Sequence, residues 1–286
     1  MKKGNAMSTW LVTGATSGIG RAVTEKLLDR GDRVAALVRR PEALEDLRGH
    51  GDRLWIASVD VTDTPALRDA VERAFRDLGR VDVVFSNAGS GAFGAGEELS
   101  DDTVEQQIAL NMVAPIQLIR AVLPHLREQG GGRIIQTSTM GGQITTTGGS
   151  MYHASKWGIE GFTETIMGEV AAFGIGITLI EPGGVRTPFG AALSISPALP
   201  AYADTPVGRF RQLIEGAGDN LTGGALGDPQ KVAQAIIEVA AQSPAPRRLV
   251  LGSDAYAAVH DALSTRLAEL EAAKAISPTT DHPADV

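Results

Sequence analysis

The chain of 286 residues contains no cysteine, which excludes disulfides, thiolate nucleophiles and cysteine-ligated metals. It has no basic excess either: 26 Lys and Arg stand against 34 Asp and Glu, a net charge of -8, and acidic chains bind nucleic acid and anionic membranes poorly. No apolar run approaches the roughly 20 residues of a membrane span. The N-terminal "MKKGNAM" lacks the apolar centre of a signal peptide. We therefore expect a cytoplasmic protein that binds neither nucleic acid nor membrane.

Apolar residues make up 43% of the chain, enough for a full core. Short apolar runs predict strands at 9–14, 33–38, 53–60, 81–89, 133–138, 176–182 and 247–252. Helical periods separate them, at 18–30, 41–49, 62–79, 100–129, 150–173, 229–242 and 254–275. This alternation predicts an α/β fold, a doubly wound Rossmann-type parallel sheet in one domain, 9–275. A flexible leader (1–8) and tail (276–286) flank it. Ligands of such folds bind beyond the carboxyl ends of the strands.

A glycine-rich turn, "TGATSGIG", follows the first predicted strand. Glycines at 14, 18 and 20 permit a sharp turn and close approach of a pyrophosphate, and the following helix offers its N-terminal N–H groups. A plain tight turn is the alternative interpretation. The position of the turn, opening the first βα unit, favours dinucleotide binding.

The second predicted strand ends in Val38, followed by Arg39 and Arg40. An NAD site uses an acidic residue here to bind the ribose 2′-hydroxyl, and valine cannot do so. Arg39 has a planar guanidinium suited to phosphate. A solvated arginine pair is the alternative, but the pattern favours NADP(H) over NAD(H).

Tyr152 and Lys156 are four residues apart in a predicted helix and so share one face. An adjacent ammonium favours phenolate, so we expect Lys156 to lower the pKa of Tyr152. Tyr152 would then serve as a general acid/base for carbonyl/alcohol interconversion. Such pairs are also common on helix surfaces, and the pair alone does not decide between these interpretations.

Motifs at successive strand ends resemble the short-chain dehydrogenase/reductase family over residues 9–252: the glycine turn, "SNAG", "ALNMVAP", "TSTMGG", "YHASK" and "EPGGVRTPF". The resemblance implies an NADP(H)-dependent oxidoreductase acting on a carbonyl or secondary alcohol. It implies catalytic roles for Tyr152, Lys156, Asn111 and either Thr139 or Ser138. It places the cofactor against Gly14, Thr16, Ser17, Gly18, Ile19, Gly20, Arg39, Arg40, Asp60, Val61, Asn87, Ala88, Gly89, Tyr152, Lys156, Pro182, Gly183, Val185 and Thr187.

Some of these assignments have alternatives. The family usually has a serine 13 residues before the tyrosine; that position is Thr139 here, and Ser138 is 14 before, so Thr139 is favoured as the residue that orients the substrate. Both hydroxyls could instead only satisfy strand-end backbone groups. Asp60, placed against the adenine by the resemblance, could instead cap the helix beginning near Thr62. Asn111 would hold a water that links Lys156 to solvent.

The segment 188–227 has little helical or strand period and resembles the family's substrate lid. Its many small apolar residues suggest an apolar, small to medium substrate, and the loops 90–96 and 143–151 would form the other walls. The resemblance also implies a homodimer or homotetramer, paired through the helices at 100–129 and 150–173. The alternative function is a catalytically silent NADP-binding regulator on the same fold; reduction of another double bond, or epimerisation, is a related possibility.

Overall fold

The computed structural model describes the following residues: 7–217, 222 and 224–282. Most of the predicted leader, part of the predicted lid and the end of the predicted tail lie outside the described residues, at 1–6, 218–221, 223 and 283–286.

Seven parallel strands form the central sheet. With two short strands that pair separately, the strands in chain order are β1 (Thr9–Thr13), β2 (Arg33–Val38), β3 (Leu54–Ser58), β4 (Val83–Ser86), β5 (Ala92–Phe93), β6 (Gly132–Thr137), β7 (Ile175–Pro182), β8 (Ser194–Ile195) and β9 (Arg248–Leu251). The order across the main sheet is β3-β2-β1-β4-β6-β7-β9. The chain therefore winds outward in both directions from β1 and β4, and the predicted doubly wound fold is confirmed.

Helices cover both faces of this sheet. They are α1 (Gly18–Asp29), α2 (Thr64–Leu78), α3 (Asp101–Ile108), α4 (Ala114–Glu128), α5 (Ser150–Val170), α6 (Pro206–Ala217), α7 (Pro229–Ala240) and α8 (Ser253–Ala272). One core packs α2, α4 and α5 against the sheet, and the other packs α1 and α7 against its opposite face. The helix predicted at 41–49 is a 3-10 helix, Pro41–Arg53, rather than an α-helix.

The start of α2 decides one alternative left open by the sequence. Asp63 caps this helix, and its carboxylate accepts a hydrogen bond from the backbone N–H of Ala66. The carboxylate of Asp60 instead accepts from the backbone N–H and the hydroxyl of Thr62, at 2.9 and 2.7 Å. The interpretation of Asp60 as the helix cap is therefore wrong, because the helix begins later than the sequence pattern suggested.

The helical segment from α3 to α4 is continuous through a π-helical turn, Ala109–Val113. By length and composition alone, this segment could cross a membrane. The expectation that the chain has no segment long and apolar enough for a membrane span is corrected accordingly. The apolar face of the segment, however, packs on the sheet: Leu118, Ile119, Val122 and Leu126 are buried there. We therefore regard it as a core helix of the α/β fold.

The predicted lid is more ordered than its lack of period suggested. It contains α6 and the short strand β8, which pairs with β5 in a separate parallel ladder. The buried face of α6 consists of Val207, Arg211 and Ile214. This buried face includes an arginine, whereas Phe210 and Leu213 of the same helix are exposed.

Candidate active site

The glycine-rich turn joins β1 to α1 at the carboxyl edge of the sheet. Gly14 and Gly18 have φ of 70° and 55°, a left-handed conformation that glycine adopts without steric cost. A Cβ at Gly20 would lie 2.2 Å from the carbonyl oxygen of Gly14 and 2.5 Å from Nδ2 of Asn87. Only glycine fits there, so the turn packs tightly while the N-terminus of α1 stays open to a ligand.

Three more predicted cofactor residues lie in this turn or just inside α1. Ser17 is the N-cap of α1, but its side chain makes no capping hydrogen bond and is exposed. Thr16 and Ile19 are partly exposed beside it. The N-terminal N–H groups of α1 and the Ser17 hydroxyl thus face the same opening, as binding of a phosphate anion requires.

The end of β2 presents two exposed arginines, Arg39 and Arg40, beyond a buried Val38. Asp60, beyond the end of the neighbouring strand β3, has a pKa held below its usual range mainly by its hydrogen bond from the Thr62 backbone, and the charge of Arg39 adds to this effect. The structure therefore brings Arg39 near Asp60 at the edge where the predicted adenosine end would bind. Val61 is buried beneath them.

The segment after β4 is tied to the glycine turn. The Thr13 hydroxyl oxygen accepts hydrogen bonds from the backbone N–H groups of Asn87 and Ala88, at 2.9 and 3.1 Å. The Asn87 amide donates back to the carbonyl oxygens of Thr13 and Gly14, at 3.3 and 3.4 Å. Asn87 therefore serves the strand-end backbone, and this contact also fixes the floor of the predicted cofactor cleft.

Asn111 lies in the π-helical turn and is buried. Its side chain holds Ser90 at both ends: Oδ1 accepts from the Ser90 N–H at 3.0 Å, and Nδ2 donates to the Ser90 carbonyl at 2.8 Å. A Cβ at Gly89 would lie 3.2 Å from Oδ1 of Asn111 and 3.9 Å from Nζ of Lys156. The π turn, which adds a residue to the helical turn, thus places Asn111 beside Lys156.

Tyr152 and Lys156 lie on one face of α5, with Nζ 5.9 Å from the centre of the tyrosine ring. The ammonium donates to the Thr137 carbonyl at 3.2 Å. Burial lowers the pKa of Lys156 to about 8, although the charge of Glu160 opposes this effect. The ammonium thus remains mostly protonated at neutral pH.

The pKa of Tyr152 departs from the sequence prediction. Tyr152 retains some exposure, yet the surrounding protein desolvates its hydroxyl and raises the pKa to about 12, while a hydrogen bond with the Thr139 side chain opposes this. The expectation that Lys156 lowers the pKa of Tyr152 is therefore wrong for this structure. Burial decides the direction, and Lys156 directs its ammonium to a backbone carbonyl.

Thr139 and Ser138 point in different directions at the end of β6. The Thr139 hydroxyl faces Tyr152 and also contacts the Pro182 carbonyl at 3.2 Å. Ser138 is buried, and its hydroxyl donates to Glu160 on the other side of the strand end. The structure thus brings Thr139, and not Ser138, to the Tyr152 hydroxyl.

The segment after β7 closes over the glycine turn. Gly183 donates its N–H to the Leu251 carbonyl, and Val185 forms an isolated bridge with Gly227. A Cβ on Gly18 would lie 3.3 Å from Cβ of Thr187. Of the predicted cofactor residues in this segment, Thr187 therefore lies directly against the start of α1.

The loops around Tyr152 supply an apolar wall. The ring of Phe189 lies 6.1 Å from that of Tyr152, and the ring of Phe210 lies 5.1 Å from that of Phe93. Leu193 packs against Gly91, since a Cβ there would lie 2.4 Å from its Cδ2. The wall joins the loop around β5 to the predicted lid.

A buried ion pair that the sequence analysis missed anchors this wall. Arg211 of α6 donates to Oε2 of Glu98 at 2.6 Å, with side chains 8% and 0% exposed. Glu98 also accepts from the backbone N–H groups of Ala95 and Leu199, at 2.7 and 2.8 Å. Glu98 and Arg211 are 113 residues apart, so no local pattern signals the pair.

His153 is a second residue that sequence analysis missed. Its Nδ1 donates to the Gly141 carbonyl at 2.8 Å, because that oxygen can only accept, and its Nε2 accepts from the Thr146 N–H at 2.9 Å. The neutral ring thus pins the loop 140–149 to α5 beside Tyr152. Its position next to the tyrosine was the only signal in the sequence.

Comparison with known proteins gives consistent matches. The family model described as short chain dehydrogenase matches residues 8–197. Oxidoreductase BOA17 of Botryotinia fuckeliana is 35% identical over 248 residues, covering 86% of this chain and 89% of that protein. A short-chain dehydrogenase from Streptomyces avermitilis has a TM-score of 0.88 and 39% identity, covering 97% and 99% of the two chains. A variant of actinorhodin polyketide ketoreductase with NADPH has a TM-score of 0.72 and 29% identity, covering 87% and 97%.

Proposed function

Since this chain belongs to the short-chain dehydrogenase family and is an oxidoreductase of it, we propose that it uses NADP(H) to interconvert a carbonyl and a secondary alcohol. The observation that carries this proposal is the grouping of Tyr152, Lys156 and Thr139 beside the cleft that leads to the glycine turn.

The residues around the cleft fit a dinucleotide. The contact between Gly20 and Gly14 leaves room for no side chain, and the open N-terminus of α1 suits the pyrophosphate. Arg39 is exposed at the end of β2 and suits a 2′-phosphate. NADPH bound to the related ketoreductase is consistent with this preference.

A bound nicotinamide cofactor would supply or accept the hydride, and this chain would handle the proton. The Tyr152 hydroxyl, with a pKa of about 12, is protonated at neutral pH and can give its proton to a carbonyl oxygen. The Lys156 ammonium, one helical turn away and bound to the Thr137 carbonyl, would hydrogen-bond the ribose next to the nicotinamide. Thr139 would hold the substrate oxygen, since its hydroxyl both donates and accepts.

The substrate we propose is apolar and small to medium in size. Phe189 forms the wall nearest to Tyr152, and Leu193 extends that wall toward Gly91. An apolar wall with few polar groups favours an alkyl or aryl ketone over a charged substrate. A panel of such ketones, with the loss of NADPH absorbance as readout, tests the activity: no turnover across the panel would contradict it.

The cofactor preference has its own test. Replacing Arg39 by alanine removes the proposed 2′-phosphate contact, so NADPH affinity should fall roughly 10–100-fold, as loss of a charge-assisted hydrogen bond predicts. NADH affinity should be unchanged. Arg48→Ala is a matched control, because Arg48 is also exposed and, among the described residues, forms its ion pair with Glu45. Equal affinity of the unsubstituted protein for NADPH and NADH would contradict the preference.

We further propose that the protein is a cytoplasmic homodimer or homotetramer that pairs through the α3–α4 segment and α5. Val113 and Trp157, on these two elements, are each 40% exposed although apolar. Light scattering of the Trp157→Glu variant should show dissociation to a smaller species, and an unchanged mass would contradict this pairing.

A further inference from the structure

One face of α5 lies along the end of β6 for about two helical turns. Tyr152, Lys156 and Glu160 are spaced by four residues and so stand one above another on this face. Lys156 donates to the Thr137 carbonyl, and Glu160 accepts from the Ser138 hydroxyl at 2.5 Å. Tyr152 forms a hydrogen bond with the side chain of Thr139, the residue that follows. The proposed catalytic pair therefore continues into a third ionisable residue that the reaction does not use.

Glu160 is buried in a cluster of carboxylates behind the site. Its Oε2 accepts from Arg248 at 2.6 Å and from the Gln143 amide at 3.3 Å. Glu181, which is fully buried, accepts from the same two groups. Arg248 also pairs with Glu164 at 3.1 Å. Arg247 also contacts Glu164, at 3.4 Å, so two guanidiniums face three carboxylates and negative charge is in excess.

The position of this cluster matters for Lys156. The titratable groups that face the ammonium are Tyr152 and Glu160 on α5 itself, with Glu181 of β7 and Arg248 of β9 behind Glu160. Burial, followed by the charge of Glu160, raises the pKa of Glu181. Of these carboxylates Glu160 lies closest to Lys156 along the helix, and its charge acts on the Lys156 ammonium directly.

We propose that Glu160 is a positioning residue for the proposed active site: its buried carboxylate keeps the Lys156 ammonium charged, and its bond to Ser138 holds the strand end that presents Thr139. The inference rests on the proposed function for the roles of Tyr152 and Lys156. Ser138 thereby gains a role as the link between Glu160 and the strand, which explains why its hydroxyl faces away from Tyr152.

The test is a direct titration of Lys156 that needs neither substrate nor turnover. The chain has few lysines, which makes their 13Cε signals resolvable by NMR: Lys2, Lys3, Lys26, Lys156, Lys231 and Lys274. Lys156→Arg assigns the signal. In the Glu160→Gln variant, which keeps the shape but removes the charge, the Lys156 signal should titrate roughly one pH unit lower. In Glu160→Asp, which keeps the charge, the titration should stay close to that of the unsubstituted protein.

Glu164→Gln is the matched control, because Glu164 also pairs with Arg248 but lies one turn further from Lys156. It should leave the titration unchanged. If Glu160→Gln does not fold, Glu160→Met removes the charge with a side chain of similar length that needs no hydrogen-bond partner, and the same fall is expected. The inference is overturned if the Lys156 signal titrates at the same pH in Glu160→Gln as in the unsubstituted protein. It is also overturned if Glu164→Gln lowers that titration pH as much as Glu160→Gln does. If the titration pH of Lys156 falls in Glu160→Gln while the unsubstituted protein shows no oxidoreductase turnover, only the proposed function is contradicted.

Discussion

The buried pair of Glu98 and Arg211 makes the lid sensitive to a single substitution. Arg211→Met keeps most of the side-chain volume but leaves the Glu98 carboxylate, 0% exposed, without its cation. Breaking a buried ion pair in this way costs roughly 3–5 kcal/mol. Because the N–H groups of Ala95 and Leu199 still bind the carboxylate, we expect the lower end of this range.

Protonation of Glu98 sets a similar limit. Burial is the largest influence on the pKa of Glu98, but the hydrogen bonds from Leu199 and Ala95 and the charge of Arg211 together outweigh it, so the pKa lies below 4.5. Without Arg211 the group can escape its burial penalty by protonation, which at pH 7 costs about 3.7 kcal/mol for an ordinary glutamate. Both routes give roughly 3–4 kcal/mol, more than a hundredfold in an equilibrium constant.

Hydrogen exchange measured by mass spectrometry is the assay, because the lid can open without global unfolding. Amides of α6 should exchange up to about a hundredfold faster in Arg211→Met, whereas those of β1 and β4 should not change. Arg209→Met is the matched control, since Arg209 is exposed on the same helix and bonds only to the Asp204 carbonyl. Unchanged exchange in α6, or equal acceleration in Arg209→Met, would refute the reasoning.

Two further predictions concern the cofactor cleft and the buried lysine. Gly20→Ala should abolish NADPH binding in a calorimetric titration, because its Cβ would lie 2.2 Å from the Gly14 carbonyl oxygen, whereas Gly161→Ala, with no atom within 4 Å, should be tolerated; measurable binding by Gly20→Ala would count against the tight turn. Lys156→Met should raise the free energy of unfolding at neutral pH by up to about 3 kcal/mol, as measured by urea unfolding. The reason is that the pKa of the buried lysine is about 8 in the folded protein rather than 10.5, so the folded state binds the proton less tightly than the unfolded state does. This gain in stability is complete below pH 8 and disappears as the pH rises to 10.5. If the variant gains less stability over the original protein at about pH 7 than at about pH 10, the lowered pKa of Lys156 is contradicted.

The sheet and the placement of the candidate site followed from the sequence for one physical reason. Strands buried on both faces appear as near-continuous apolar runs, and polar or glycine-rich segments at their carboxyl ends must meet at one edge. The glycine turn, Asn87 and Thr139 therefore converge although they are far apart in the chain. Tyr152 and Lys156 share a face because the helical spacing requires it.

Other features depended on contacts that no local pattern encodes. Arg211 is buried because Glu98 meets it from a distant loop, and the residue pattern of its own helix does not encode that contact. The spacing to Tyr152 favoured Thr139 over Ser138, but the contact that turns Ser138 away, its hydrogen bond to Glu160, has no local signal in the sequence. The pKa of Tyr152 was predicted in the wrong direction because desolvation depends on the packed lid and loops, which the sequence does not reveal.

The most direct test of the account is the Tyr152→Phe substitution, which keeps the ring against Phe189 and removes only the hydroxyl. The kcat for NADPH-dependent reduction of an apolar ketone should fall roughly 10²–10⁴-fold, the contribution of a general acid. The dissociation constant for NADPH should stay the same, because the turn around Gly20 and the exposed Arg39 are untouched. A kcat close to that of the original protein would contradict the central claim that Tyr152 transfers the proton.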